Sequence, residues 1–119
     1  MSLTWTFNQF ENFIIGKSEK NSGFLQISLA FKSESEKEAE NLLLDFADLP
    51  ENQQIEFEVK EEFEIHYKYF DLMKDNKKLR YWFFVKPEGL ILANYSSKNV
   101  KFDDEEVKDC EIILLKNTF

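Results

Sequence analysis

The stretch IEFEVKEEFEIHYKYF, residues 55 to 70, decides how this chain is read. Its odd positions are Ile55, Phe57, Val59, Glu61, Phe63, Ile65, Tyr67 and Tyr69, apolar in seven of eight cases, and every even position from Glu56 to Lys68 is polar or charged. A period of two is that of a strand with one buried face. A helix over 62 to 74 would gather Phe63, His66, Tyr67 and Phe70 and leave Ile65 and Tyr69 pointing elsewhere. Fully extended, the run would reach about 50 Å, whereas a globule of this length has a radius of gyration of only about 13.5 Å. The strand therefore has to break its course. Glu61 is the charged residue in the inward phase, so a bulge, bend or brief turn is expected near Lys60 to Glu62.

On the C-terminal side, Asp75-Asn76-Lys77-Lys78 is a polar turn, and Leu79 to Val85 follows as a strand apolar on both faces, hence central and covered on two sides. Lys86-Pro87-Glu88-Gly89 carries Pro and Gly where a type I turn places them and leads into a strand over 90 to 95. Successive hairpins of this kind make an antiparallel meander. Residues 96 to 106 read as a loop, and Ile112, Ile113, Leu114 and Leu115 give a last strand over 110 to 116.

On the N-terminal side, Thr6 followed by Gln9 fits a capping box, with Phe7, Phe10, Phe13 and Ile14 at helical spacing and Gly16 at the end. A helix over 7 to 15 follows, in competition with a strand through Thr4 to Phe7. Leu25, Ile27, Leu29 and Phe31 alternate with polar residues, a strand over 24 to 32. Ser35-x-x-Glu38 is a second capping box, and Ala39, Leu42, Leu43 and Phe46 form an i, i+3, i+4, i+7 stripe ending before Pro50, a helix over 35 to 48. The expectation is one α+β domain spanning 1 to 119: an antiparallel sheet of about five strands, with both helices on one face.

The 119 residues include thirteen Phe, so the core should be rich in rings. Cys110 is the lone cysteine and can make no intramolecular disulfide, which points to a reducing, cytoplasmic setting. No apolar run approaches the roughly 20 residues of a membrane span. The net charge is -8 and unevenly placed: residues 33 to 64 hold twelve acids against Lys37 and Lys60. A surface of that sign repels phosphates and suits a basic partner.

No motif of catalysis is present. His66, the sole histidine, falls in the polar phase beside Glu64 and Lys68, where a solvated strand position explains it. Cys110 is its only possible thiol partner and borders an apolar run. One His and one Cys supply no zinc cluster, Asp103 to Glu106 lacks the spacing of a calcium loop, and three isolated glycines form no phosphate cradle, so neither metal nor cofactor is expected. The basic stretch Lys74, Lys77, Lys78, Arg80 and Lys86, with Tyr81 and Trp82, offers single-stranded nucleic acid a stacking platform, but such lysines ordinarily cap turns and protect sheet edges.

What remains is the acidic set Glu34, Glu36, Glu40 and Asp45 from the second helix with Glu56, Glu58, Glu62, Glu64 and His66 from the long strand. Together these form a candidate surface for a basic protein. In general character the chain resembles the immunity proteins that bacteria use against secreted toxins, often nucleases. The resemblance implies a non-enzymatic antitoxin acting by direct complex formation as a monomer or weak homodimer. The alternatives are a secretion or effector chaperone, and a small enzyme or ligand-binding domain in a sheet hollow lined by Tyr67, Tyr69, Tyr81 and Trp82.

Overall fold

A computed structural model describes residues 2–31, 36–49, 56–62, 65–86 and 89–116. In chain order the elements are β1 (Trp5–Gln9), β2 (Phe13–Ser18), β3 (Gly23–Phe31), α1 (Glu36–Phe46), β4 (Glu58–Glu62), β5 (Ile65–Lys74), β6 (Lys77–Lys86), β7 (Gly89–Ser97) and α2 (Asp104–Lys116). Seven strands form one antiparallel sheet in the order β1-β2-β3-β7-β6-β5-β4. The α+β class and the antiparallel sheet are as the sequence implied, with two more strands than expected and with β3 paired to β7, so that two meanders are joined side by side instead of one running through the sheet.

The doubly apolar strand β6 lies inside the sheet between β7 and β5. Its alternate residues serve two cores. Leu79, Tyr81 and Phe83 join Phe70, Leu90 and Leu92 beneath Leu43 of α1 and Ala47 just past its end. Trp82 and Phe84 join Leu25, Ile27, Tyr67, Ile91, Ala93 and Tyr95 beneath Val107, Cys110, Ile113 and Leu114 of α2. The helices thus cover opposite faces of the sheet, not one face as expected. Two apolar sides on a central strand need two covers, which is why β6 reads as a continuous hydrophobic run.

The turn at Asp75 and Asn76 is present, and both residues have positive φ, at 53° and 61°. That is the demand of a two-residue hairpin turn whose twist matches the strands, and Asp and Asn tolerate it better than most side chains. Helix α1 and strand β3 stand close to their expected bounds. Ser35, the expected cap of α1, and the proposed turn residues Pro87 and Glu88 lie outside the described residues.

Three expectations are corrected. The helix over 7 to 15 is instead the hairpin β1–β2, closed by the Phe10 N–H donating to the Phe13 carbonyl at 2.8 Å. Phe7 and Phe13 satisfy both periods, and packing selects the extended one: the Phe7 ring lies across Gly16, where a Cβ would stand 2.7 Å from it. The last strand over 110 to 116 is the second half of α2. Val107, Cys110, Ile113 and Leu114 fall at helical spacing onto the sheet, and Asp103 caps the helix by accepting the Glu106 N–H at 3.2 Å.

The third correction concerns the opening stretch. It is not one bent strand but a hairpin, with Glu58 opposite Tyr69 and Glu62 opposite Ile65. The break falls one step beyond the expected Lys60 to Glu62. A connection of two residues pairs odd positions with even ones, so the alternation continues through the sequence while the face inverts. Val59 and Glu61 pair with Lys68 and His66 on the α1 side, whereas Ile65, Tyr67 and Tyr69 face α2. The largest extent of the molecule is 37 Å, too short for the extended alternative.

Candidate partner-binding surface

The inversion divides the acidic set. Glu58 pairs with Tyr69 on the α2 side, while Glu61 pairs with His66 on the α1 side. The Glu61 carboxylate lies 3.7 Å from the His66 ring. Both side chains are largely exposed, so the strand-surface reading of His66 describes its position. Glu36 opens α1 and Glu62 ends β4, and Glu34 and Glu64 lie outside the described residues.

Helix α1 is fixed above β5 by charge as well as by apolar packing. Glu40 accepts from the Lys68 ammonium at 3.3 Å, and Asp48, just past the helix, lies 4.0 Å from the Lys74 ammonium. These two contacts orient α1 along β5 in the same direction. Phe57, immediately before β4, packs edge-on against Phe70 and Phe83. Glu56 next to it and Asp45 on α1 are exposed. Of the nine residues singled out from the sequence, the structure therefore sets His66 beside Glu61, ties Glu40 to Lys68, and sends Glu58 to the other face.

The sequence did not single out two apolar residues beside this charge. Val59 is 62% exposed and Val85 is 48% exposed. Val85 pairs with His66, which pairs in turn with Glu61, and Val59 is the neighbour of that pair but one along the edge strand. Since Val59, Glu61, His66 and Val85 all project from the α1 side, they make one small surface of two valines around an acid and an imidazole. Only the fold could show this, because β6 and β4 are not neighbours in sequence.

The other polar clusters are committed to holding α2. Glu106 is fully buried and accepts from the Ser18 hydroxyl, the Ser22 N–H at 3.0 Å and the Tyr95 hydroxyl at 2.5 Å. Asp109, also buried, accepts from the Ser2 and Leu3 N–H groups and the Trp5 indole, each at 2.9 Å. Burial opposes ionisation of Asp109, but these donors prevail and hold its pKa below the ordinary carboxylate value. The Trp82 indole donates to Glu111 at 3.3 Å, so both tryptophans are tied to α2. Cys110 is buried on α2, across the sheet from His66, and burial together with Glu106 and Asp109 pushes its thiol pKa well up. A thiol in that state is inert.

The basic stretch is likewise mostly structural. Arg80 makes two hydrogen bonds to Asp71, at 2.7 and 3.0 Å, and stacks 4.1 Å above the Tyr69 ring. The buried Lys86 ammonium donates to the carbonyls of Leu114 and Leu115. Trp82 and Tyr81 are buried on opposite faces, and Tyr67 is beneath α2, so these rings line neither a stacking platform nor a common hollow. A concavity of about 500 Å³ lies instead by the loop into α2, among Ser22, Asn99, Val100, Phe102 and Asp103. There Asp103 is occupied by Lys20 at 2.8 Å and by its capping bond.

Among the described residues no helix is long and apolar enough to cross a membrane, and no group of three or more His, Cys, Asp or Glu side chains is placed to hold a metal ion. Comparison of the chain with protein-family models, with curated proteins and with solved structures finds no match.

Proposed function

We propose that this protein is a non-enzymatic binding module of the immunity or antitoxin type, which neutralises a basic protein by docking it on the β4 edge of the α1 side. The observation that carries this reading is the pair of exposed valines, Val59 and Val85, flanking Glu61 and His66. Interfaces concentrate their affinity in a small apolar centre and draw specificity from a charged rim. Here the charge beside it is acidic, with Glu61 itself and the exposed Asp45 of α1 on the same face of the sheet, and the chain carries a net charge of -8 that attracts a cationic protein over distance. Buried groups of the kind enzymes exploit are engaged instead in structural bonds: Glu106, Asp109 and Lys86 each hold α2 in place.

The test is purification of the protein with its native partner, followed by binding kinetics on the isolated pair. The reading expects a basic partner, a nanomolar complex, and an association rate that falls at least tenfold between about 0.05 and 0.5 M salt. Val59→Lys and Glu61→Lys should each weaken the complex by about a hundredfold or more while leaving the fold intact. A partner that is not basic, or a complex indifferent to both substitutions, refutes it.

A further inference from the structure

The two edges of the sheet differ in a way that the acidic surface does not explain. Edge strand β4, Glu58-Val59-Lys60-Glu61-Glu62, is charged at four of five positions, the usual protection of an open edge. Edge strand β1, Trp5-Thr6-Phe7-Asn8-Gln9, has no charge at all.

The hydrogen-bond parity of β1 is fixed at both ends. The Glu19 N–H donates to the Thr4 carbonyl and the Phe10 N–H to the Phe13 carbonyl, each at 2.8 Å. With the register of β1 on β2, the even residues turn their backbone groups toward β2. The N–H and C=O groups of Trp5, Phe7 and Gln9 therefore point outward from the sheet. We propose that this edge pairs with β1 of a second copy of the chain, antiparallel about a two-fold axis at Phe7, joining two seven-stranded sheets into one.

The geometry is its own complement. About that axis Phe7 meets Phe7, Trp5 meets Gln9 and Thr6 meets Asn8, so the three outward residues of each copy exchange six backbone hydrogen bonds. Phe7 and Trp5, stacked on each other with ring centroids 6.4 Å apart, lie on one side of the seam. At the end of the strand Phe10, half exposed and stacked on Phe13, comes opposite Thr4 of the other copy.

Charge selects this edge over the other. Each copy carries a net -8, which opposes contact between copies wherever acids meet. Self-pairing of β4 about Lys60 would set Lys60 against Lys60 and Glu58 against Glu62, like charges in register, which destabilises a strand pair. Self-pairing of β1 brings no charge to the seam. The contact is short, below the about 1,200 Å² of a standard interface, so the dimer is weak and concentration-dependent.

Sedimentation of the full chain over about 5 to 500 µM tests this. The weight-average mass should climb from the 14.2 kDa of one chain toward that of two. The backbone amides of Trp5, Phe7 and Gln9 should gain protection from hydrogen exchange over the same range, with those of β4 unchanged. Gln9→Pro removes an outward donor and spares the bonds to β2; it should weaken dimerisation at least tenfold, whereas Val59→Lys on the other edge should not. Circular dichroism confirms that each variant is folded. A chain that stays monomeric throughout, or a Gln9→Pro variant that dimerises like the parent, overturns the proposal.

Discussion

Tyr95 of β7 donates its hydroxyl to Glu106 of α2 at 2.5 Å, in a place where neither side chain reaches solvent. A buried carboxylate is tolerated only where donors replace its water. Here the Ser18 hydroxyl and the Ser22 N–H complete the set. The β2–β3 turn, β7 and the first turn of α2 thus converge on one anion, and that convergence fixes where α2 enters the sheet.

Tyr95→Phe should therefore cost about 2 kcal/mol in urea unfolding at pH 7, the worth of a hydrogen bond to a buried charge. Burial, then the bond to Glu106 and its charge, raise the Tyr95 pKa far above its usual 10. A pKa raised on folding gives stability that is whole below the unfolded value and is lost as pH rises beyond it. Stability should accordingly fall above about pH 10, and less steeply in Tyr95→Phe. Tyr81, also raised by burial, accounts for some of the decline that remains.

Asp109 performs a similar service for the N-terminal segment. Its lowered pKa has the opposite consequence: the stability it contributes is present above the unfolded value of about 3.8 and is lost as pH falls through the folded one. Asp109→Asn should cost about 2 kcal/mol at pH 7, with the deficit shrinking as the pH is taken below 4. Unfolding followed by the fluorescence of Trp5, whose indole donates to this side chain, measures both.

Neither carboxylate could have been placed from sequence, because their donors come from far along the chain: Ser22 lies 84 residues before Glu106, and Ser2 lies 107 before Asp109. Helix α1 was legible because its apolar stripe has one unambiguous period, and strand β6 because its short apolar run is bounded by turn signals on both sides. The apolar run Ile112 to Leu115 has no period of its own, and the signal that would have corrected it stood upstream, in Asp103-x-x-Glu106 and the spacing of Val107, Cys110 and Ile113. The alternation over 55 to 70 is genuine, but a two-residue reversal leaves it intact while turning the strand over. That is why Val59 and Val85, and not the even-numbered glutamates alone, mark the candidate surface.

Lys86 ends β6 with its ammonium against the carbonyls of Leu114 and Leu115, which have no acceptor role left inside the helix. A cation there also meets the negative end of the α2 dipole. Lys86→Met keeps the apolar stem and deletes the charge, so loss of the cap should cost about 1 to 2 kcal/mol. Amide exchange should quicken in the last turn of α2 and stay unchanged at its first turn.

Two glycines distinguish a close contact that can yield from one that cannot. At Gly16 an added Cβ would stand 2.7 Å from the edge of the Phe7 ring, a half-buried side chain on the edge strand that can swing outward. At Gly23 it would stand 2.4 Å from the Ser96 carbonyl oxygen and 2.6 Å from the Tyr95 hydroxyl. The Ser96 backbone is held in the β3–β7 ladder, and the Tyr95 hydroxyl is held by Glu106. Gly23→Ala must therefore push the central strands β3 and β7 apart or break the buried hydrogen bond, and overpacking of this kind costs about 3 kcal/mol or more. Gly16→Ala should cost about 1 kcal/mol, because only one ring has to move. In a Tyr95→Phe background some of the Gly23→Ala penalty should disappear, since the hydroxyl is gone. A double-mutant cycle by urea unfolding reads that coupling directly, and strict additivity would show that the Ser96 carbonyl alone sets the cost.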